Sequence, residues 1–251
     1  MSRLSKQFWA KPFAHRGLHD QERPENSLSA VLAAVDAGYG IEIDVQPSQD
    51  GEAMVFHDYT LDRMTNESGP TNARSTEELT SIKLSNSAEG IPTLEATLRA
   101  IGGKAPLLVE IKDQSRSFTR TDGALEQRVC DIIRKVGQIE TCAVMSFNPF
   151  SAAHVRDFLP EVARGVVSYD FEHPHDADVP AEHRARLAAL NWFEESGADF
   201  VSYGAESLPT ERTAALRRAG VPIFCWTIRS PEQAKRALEH CDQITFEGYQ
   251  P

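Results

Sequence analysis

Short apolar runs alternate with amphipathic stretches along most of this chain. The runs at 13–15, 41–45, 53–57, 107–111, 143–146, 162–167, 200–202 and 221–227 have the length and the β-branched or aromatic content of buried strands. Between most of them, apolar residues recur at helical spacing. Leu28, Val31, Leu32 and Val35 predict one helix, capped by Asn26 or Ser27 and stopped by Gly38. Thr93 caps a second, which runs to about Ile101. Further helices are predicted at 123–136, 150–158, within 181–195, at 210–219 and at 231–238, the last with Pro231 in its first turn.

Two places break the rhythm. The step from the second run to the third passes through the turn signal Gln49-Asp50-Gly51 and is too short for a helix. Residues 59–92 are rich in Thr, Ser, Asn and Gly, with a brief apolar pattern from Leu79 to Leu84, and read as an irregular excursion. Eight strands mostly separated by helices predict a (β/α)8 TIM barrel, an α/β fold. The expected organisation is a single barrel domain over 1–251, with a small irregular insertion at about 59–92 after the third strand. An open doubly wound sheet competes with it, but the Gly-rich phosphate loop expected after that fold's first strand is absent.

Composition narrows the function. A chain of 251 residues, 41% hydrophobic and 25% charged, is an ordinary globular protein with material for one large core. A net charge of -11 argues against a nucleic-acid groove or an anionic membrane as the main partner. An anionic substrate stays open, because a bound cation makes a site locally positive. The stretch Met1–Lys11 lacks the apolar core of a signal peptide, and no run is long enough to span a bilayer, so a cytoplasmic protein without stable membrane insertion is expected. Cys130, Cys142, Cys225 and Cys241 are widely spaced and read as buried free thiols. Nothing in the sequence sets the oligomeric state.

The candidate chemistry gathers between Phe13 and Asp58 and at strand ends beyond. Alternation along a strand points Glu42 and Asp44 to one face, away from Ile41, Ile43 and Val45. Two such carboxylates ask for a divalent cation between them, and all-oxygen ligands favour Mg²⁺ or Ca²⁺ over zinc. A solvated edge strand with two exposed acids is the alternative for that pair alone. In a barrel, functional side chains collect at the C-terminal ends of strands. His15, Arg16, His57, Glu110, Lys112, Ser146 and Trp226 also fall there, and Glu110 and Lys112 share one face of their strand.

These residues resemble the glycerophosphodiester phosphodiesterases. The matching pieces, in order, are His-Arg-Gly at 15–17, Pro-Glu-Asn at 24–26, Ile-Glu-Ile-Asp-Val at 41–45, Asp-Gly at 50–51 and His-Asp at 57–58. Ile-Pro-Thr-Leu at 91–94, Val-Glu-Ile-Lys at 109–112 and Trp226 continue the series over nearly the whole chain. The resemblance implies a metal-dependent hydrolase that turns a small glycerophosphodiester into glycerol 3-phosphate and an alcohol. It implies that Glu42, Asp44 and Glu110 hold one divalent cation, Mg²⁺ or Ca²⁺, and that His15 and His57 are the acid–base pair. Arg16 and Lys112 then contact the phosphate, Asn26 supports the metal site and Gly17 permits a tight turn, while Trp226 is either a wall for the alcohol group or part of the core. The implied route is attack by the glycerol 2-hydroxyl to a cyclic phosphate, opened afterwards by water; either histidine can be the first base. Two other readings stay open: a phosphodiesterase of lysophospholipase D type on lysophospholipids, and a non-catalytic barrel that binds a phosphodiester.

The chain departs from the family at its end. The common Thr-Asp-x-Pro is replaced by Thr245-Phe246-Glu247-Gly248, which leaves open which residues close the barrel. His173-Pro174-His175-Asp176 reads as an exposed loop rather than a second metal site, and Glu194-Glu195 as a solvated helix end.

Overall fold

The computed structural model describes residues 3–251; Met1 and Ser2, the start of the stretch read above for a signal peptide, lie outside the described residues. Eight parallel strands close into a barrel. They are β1 (Phe13–Ala14), β2 (Gly40–Pro47), β4 (Leu107–Ile111), β5 (Cys142–Ser146), β6 (Ala163–Ser168), β7 (Phe200–Gly204), β8 (Ile223–Ile228) and β9 (Gln243–Phe246). Closure comes from β1, which pairs with both β2 and β9. Helices α1 (Leu28–Asp36), α3 (Leu94–Ile101), α4 (Ala124–Val136), α5 (Pro149–Phe158), α6 (Ala181–Ala188), α7 (Phe193–Ser196), α8 (Glu211–Arg218) and α9 (Pro231–Ala237) surround it. Ser27 is the residue that caps α1, its side chain accepting from the amide of Ala30.

Two strand assignments change. The third apolar run forms β3 (Ala53–Val55), which is antiparallel to β2 and not part of the barrel. The connection of a few residues at 48–52 leaves no alternative, since a parallel partner needs a crossover of about a dozen residues. The eighth barrel strand is β9, whose four residues include Gln243 and Thr245 and so lack the apolar run of its neighbours. Gln243 is buried because its amide donates to the carbonyls of Phe8 and Lys11.

Alternation divides the side chains into two layers. Ile41, Ile43, Val109, Val144, Val201 and Cys225 point outward, into the core between barrel and helices. Phe13, Leu108, Ala143, Met145, Phe200 and Phe224 fill the lower barrel interior, which Leu4 and Phe8 plug from below. Full burial of a phenylalanine contributes roughly 1.5–3 kcal/mol, so this aromatic layer is a large share of the core. Room for it depends on Gly165, where a β-carbon would lie 2.5 Å from the Phe200 ring.

The excursion at 59–92 has more order than its polarity predicts. It contains α2 (Thr76–Ser81), whose Ser75 and Glu78 form a reciprocal capping box. Leu61, Leu79, Leu84 and Ile91 make a small core of their own against Met54 and Phe56.

Candidate active site

The site is built first by β2 and β4. Their register sets Asp44 beside Glu110, while alternation puts Glu42 on the same inner face one step lower. All three carboxylates are buried, and one oxygen from each lies within 4.8 Å of the others. Burial, and then the nearness of Asp44 and Glu110, pushes the Glu42 carboxyl well above its usual range. Asp44 goes the other way. Burial opposes its ionisation, but Lys112, His57 and Arg16 outweigh that and hold it well below the usual range. Lys112 Nζ lies 2.7 Å from Asp44 Oδ1 and also donates to Glu110. These two carboxylates raise its pKa against the opposing effect of burial.

The loop after β1 closes over this cluster. Arg16, Gly17 and Asn26 all have positive φ, at 56°, 80° and 59°, a conformation that non-glycine residues adopt rarely and at some cost. That bend turns the Arg16 amide toward Glu42 Oε2 at 3.0 Å. It also brings Gly17 so near α1 that a β-carbon would meet the Ala30 carbonyl carbon at 2.8 Å. Asn26 uses both ends of its amide on one residue. Its Nδ2 donates to Asp44 Oδ2 at 2.9 Å, and its Oδ1 accepts from the Asp44 backbone at 3.2 Å. Arg16 Nε is buried, makes no hydrogen bond, and stands 3.5 Å from Asp44 Oδ2.

The donor set fits a hard divalent cation. Burial and mutual repulsion of the three carboxylates oppose their joint ionisation, and a divalent ion between them would relieve both.

Each histidine carries a carboxylate on its back. His15 Nδ1 is 2.7 Å from Glu247 Oε2, and His57 Nδ1 is 2.6 Å from Asp58 Oδ1. The hydrogen bond to His15 brings Glu247 down to about 2 despite partial burial. Burial opposes the ionisation of Asp58, but bonds to His57 and Arg63 hold it well below the usual range. An ionised carboxylate can only accept, so Nδ1 carries a proton in both rings, and a ring that is neutral keeps its lone pair at Nε2. His15 Nε2 faces the acidic cluster, 4.0 Å from Glu42 Oε2. Burial also lowers the His15 pKa, which keeps the ring neutral near pH 7. His57 arrives by the hairpin: β3 runs back from beyond the rim, and the Phe56 amide bonds to the Asp44 carbonyl at 3.0 Å.

Trp226 stands half-buried in the barrel mouth. Its Nε1 bonds to the Ser202 carbonyl at 3.3 Å, and it meets Phe147 and Tyr169 edge-on at 5.4 and 5.9 Å, forming an apolar wall. Ser146 does not enter the site; its hydroxyl is buried and donates to the Ile111 carbonyl. The loop at 173–176 gathers no metal cluster, since the acidic triad is the sole such group among the described residues. Asp176 there is buried and accepts from the Tyr169 hydroxyl at 2.6 Å. Glu194 pairs with Arg212, and Glu195 is exposed.

Sequence reasoning missed the carboxylates behind the histidines. Asp58 stands next to His57 and was legible as part of His-Asp. Glu247 lies 232 residues from its partner, and its signal was an acid just past the last strand.

Known proteins resemble this chain over most of its length. Residues 15–241 match the model of the glycerophosphoryl diester phosphodiesterase family, a match that ends before Glu247. A glycerophosphodiester phosphodiesterase of Caldanaerobacter subterraneus subsp. tengcongensis is 33% identical over 234 residues, spanning 90% of this chain and 88% of that protein. Two solved structures share the fold. A phosphodiesterase of Oleispira antarctica, in complex with the product sn-glycerol-3-phosphate, superposes with a TM-score of 0.74 at 24% identity over 95% of this chain and 93% of that one. A glycerophosphodiester phosphodiesterase of Agrobacterium tumefaciens gives 0.71 at 23% identity over 94% and 95%.

Proposed function

The chain belongs to the glycerophosphoryl diester phosphodiesterase family, and from that premise we propose how its barrel mouth cleaves a glycerophosphodiester into glycerol 3-phosphate and an alcohol. The observation that carries the reading is two carboxylate-backed histidines set beside three buried acids that can share one cation. Glu42, Asp44 and Glu110 would hold Mg²⁺ or Ca²⁺, which would supply positive charge for the phosphate and lower the pKa of a coordinated hydroxyl.

The remaining work belongs to side chains. Arg16 and Lys112 bind the phosphodiester oxygens and offset the charge that builds there. Asn26 fixes the rotamer of Asp44. His15, neutral at rest, takes the proton of the glycerol 2-hydroxyl at Nε2, and Glu247 steadies the imidazolium that results. The 2-oxygen bonds to phosphorus and the ester bond to the alcohol breaks. His57, held from behind by Asp58, is the acid that delivers a proton from Nε2 to the departing oxygen. A water then opens the cyclic phosphate, the histidines exchanging roles. Trp226 faces the organic part of the substrate with Phe147 and Tyr169.

No helix among the described residues is long and apolar enough to cross a membrane. The four cysteines are buried and free, which suits a reducing compartment, and we place the enzyme in the cytoplasm. The whole chain acts as one barrel unit in this reading, the excursion included.

The test is glycerol 3-phosphate release from soluble choline, ethanolamine and glycerol diesters, with head-group release from a lysophospholipid measured alongside. Turnover of the soluble diesters is expected. Turnover of the lysophospholipid alone, or of neither by folded protein, overturns the assignment.

A further inference from the structure

Arg63 belongs to the excursion, not to the barrel, and is half exposed. We propose that it is a positioning residue that holds the proton-transfer and phosphate-binding parts of the site in register, an inference that rests on the function proposed above. Its turn is anchored on both sides. Leu61 is fully buried and Met64 packs on the same small core. Thr65 ties the turn shut, its amide and hydroxyl both donating to the Leu61 carbonyl.

From this mount the guanidinium makes two forks. Nε and Nη2 donate to Asp58 at 2.6 and 2.9 Å; Nη1 and Nη2 donate to Glu25 at 2.9 and 2.6 Å. Each carboxylate has a second partner in the site. Asp58 Oδ1 accepts from His57, and Glu25 Oε1 accepts from Arg16 Nη1 at 2.8 Å. One cation thus governs the acids that aim His57 and Arg16, and the chain of contacts runs on from Arg16 to Asp44.

Arginine is suited to this where lysine is not. A planar fork meets two carboxylates at once, whereas an ammonium is a single point charge. Without the cation, Glu25 and Asp58 lose the group that draws them together, and their partners lose fixed orientation. Misplacement of a reacting group by 1 Å costs about 100-fold in rate. Exposed ion pairs contribute little to folding, so the effect belongs in turnover more than in stability.

The experiment compares wild type with Arg63→Met, Arg63→Lys, Asp58→Asn and the Arg63→Met/Asp58→Asn double variant. Steady-state kinetics use sn-glycero-3-phosphocholine with Mg²⁺ or Ca²⁺, and imidazole ¹⁵N NMR follows the His57 ring independently of turnover. Arg63→Met is expected to lower kcat by about 10- to 100-fold with melting temperature little changed, and Arg63→Lys to recover only part of that. The double variant should lose little more than Asp58→Asn alone, and the Nδ1 proton of His57 should be defined in wild type and averaged in Arg63→Met. Activity of Arg63→Met within about threefold of wild type, losses that multiply in the double variant, or an unchanged His57 spectrum would overturn the proposal. An inactive wild type would instead count against the proposed function, and the spectrum still decides the role of Arg63.

Discussion

Replacing Glu247 by Gln is the sharpest single perturbation of the site. The present pair is a 2.7 Å bond from His15 Nδ1 to a carboxylate that can only accept. That one-way character fixes the tautomer and leaves the Nε2 lone pair facing the acidic cluster. A glutamine amide fits the same space but can also donate. It can then move the ring proton to Nε2, where it blocks proton uptake. It also removes the negative charge that steadies the imidazolium. General acid–base assistance is worth about 100- to 10 000-fold, so kcat should fall within that range, or about 3 to 5 kcal/mol in barrier. Glycerol 3-phosphate release, followed by its NAD-dependent oxidation, measures this directly. Because Glu247 favours the charged form of His15, the acid limb of the kcat/KM profile should also move to lower pH in the variant. Turnover within threefold of wild type with an unmoved acid limb would rule out Glu247 as the group that sets the His15 tautomer.

Three other outcomes follow from the same geometry. Asn26→Ala removes the two amide contacts to Asp44, and calorimetry should find Mg²⁺ or Ca²⁺ bound about 10- to 100-fold more weakly; an unchanged Kd would contradict that role. Gly17→Ala places a β-carbon 2.8 Å from the Ala30 carbonyl carbon at a φ of 80°, and should cost about 1–3 kcal/mol, read as a lower melting temperature. The third concerns pH. Glu247 sits near 2 in the folded protein against a usual 4.5, so the stability it contributes is complete above 4.5 and lost as pH falls toward 2. Melting temperatures of wild type and Glu247→Gln should therefore differ at neutral pH and converge across that window; a constant difference down to pH 2 would contradict it.

Period-two alternation alone put Glu42 and Asp44 on one face and Glu110 and Lys112 on another strand's matching face, and the structure brings these residues together. That part was legible because it depends on the local geometry of a strand. The identity of the barrel's eighth strand was not. Ala53–Val55 and Gln243–Phe246 are both short, and the more apolar of the two lies outside the barrel. Only the brief turn at 48–52 shows that β3 must run backward. The acids behind the histidines divide in the same way. Asp58 adjoins its partner, while Glu247 meets His15 only after β9 closes the barrel against β1. Arg63 was hidden for a different reason. Its stretch is polar, and the small core that fixes its turn is assembled from residues dispersed between Met54 and Ile91.

Metal-dependent cleavage is read most directly as turnover of sn-glycero-3-phosphocholine by the wild-type chain, before and after stripping with EDTA and after return of Mg²⁺ or Ca²⁺. Glycerol 3-phosphate release that disappears on chelation and returns with the ion, but does not return in Asp44→Asn, is the result expected from three buried carboxylates sharing one cation. Turnover that survives thorough chelation, or that Asp44→Asn leaves intact, would contradict it.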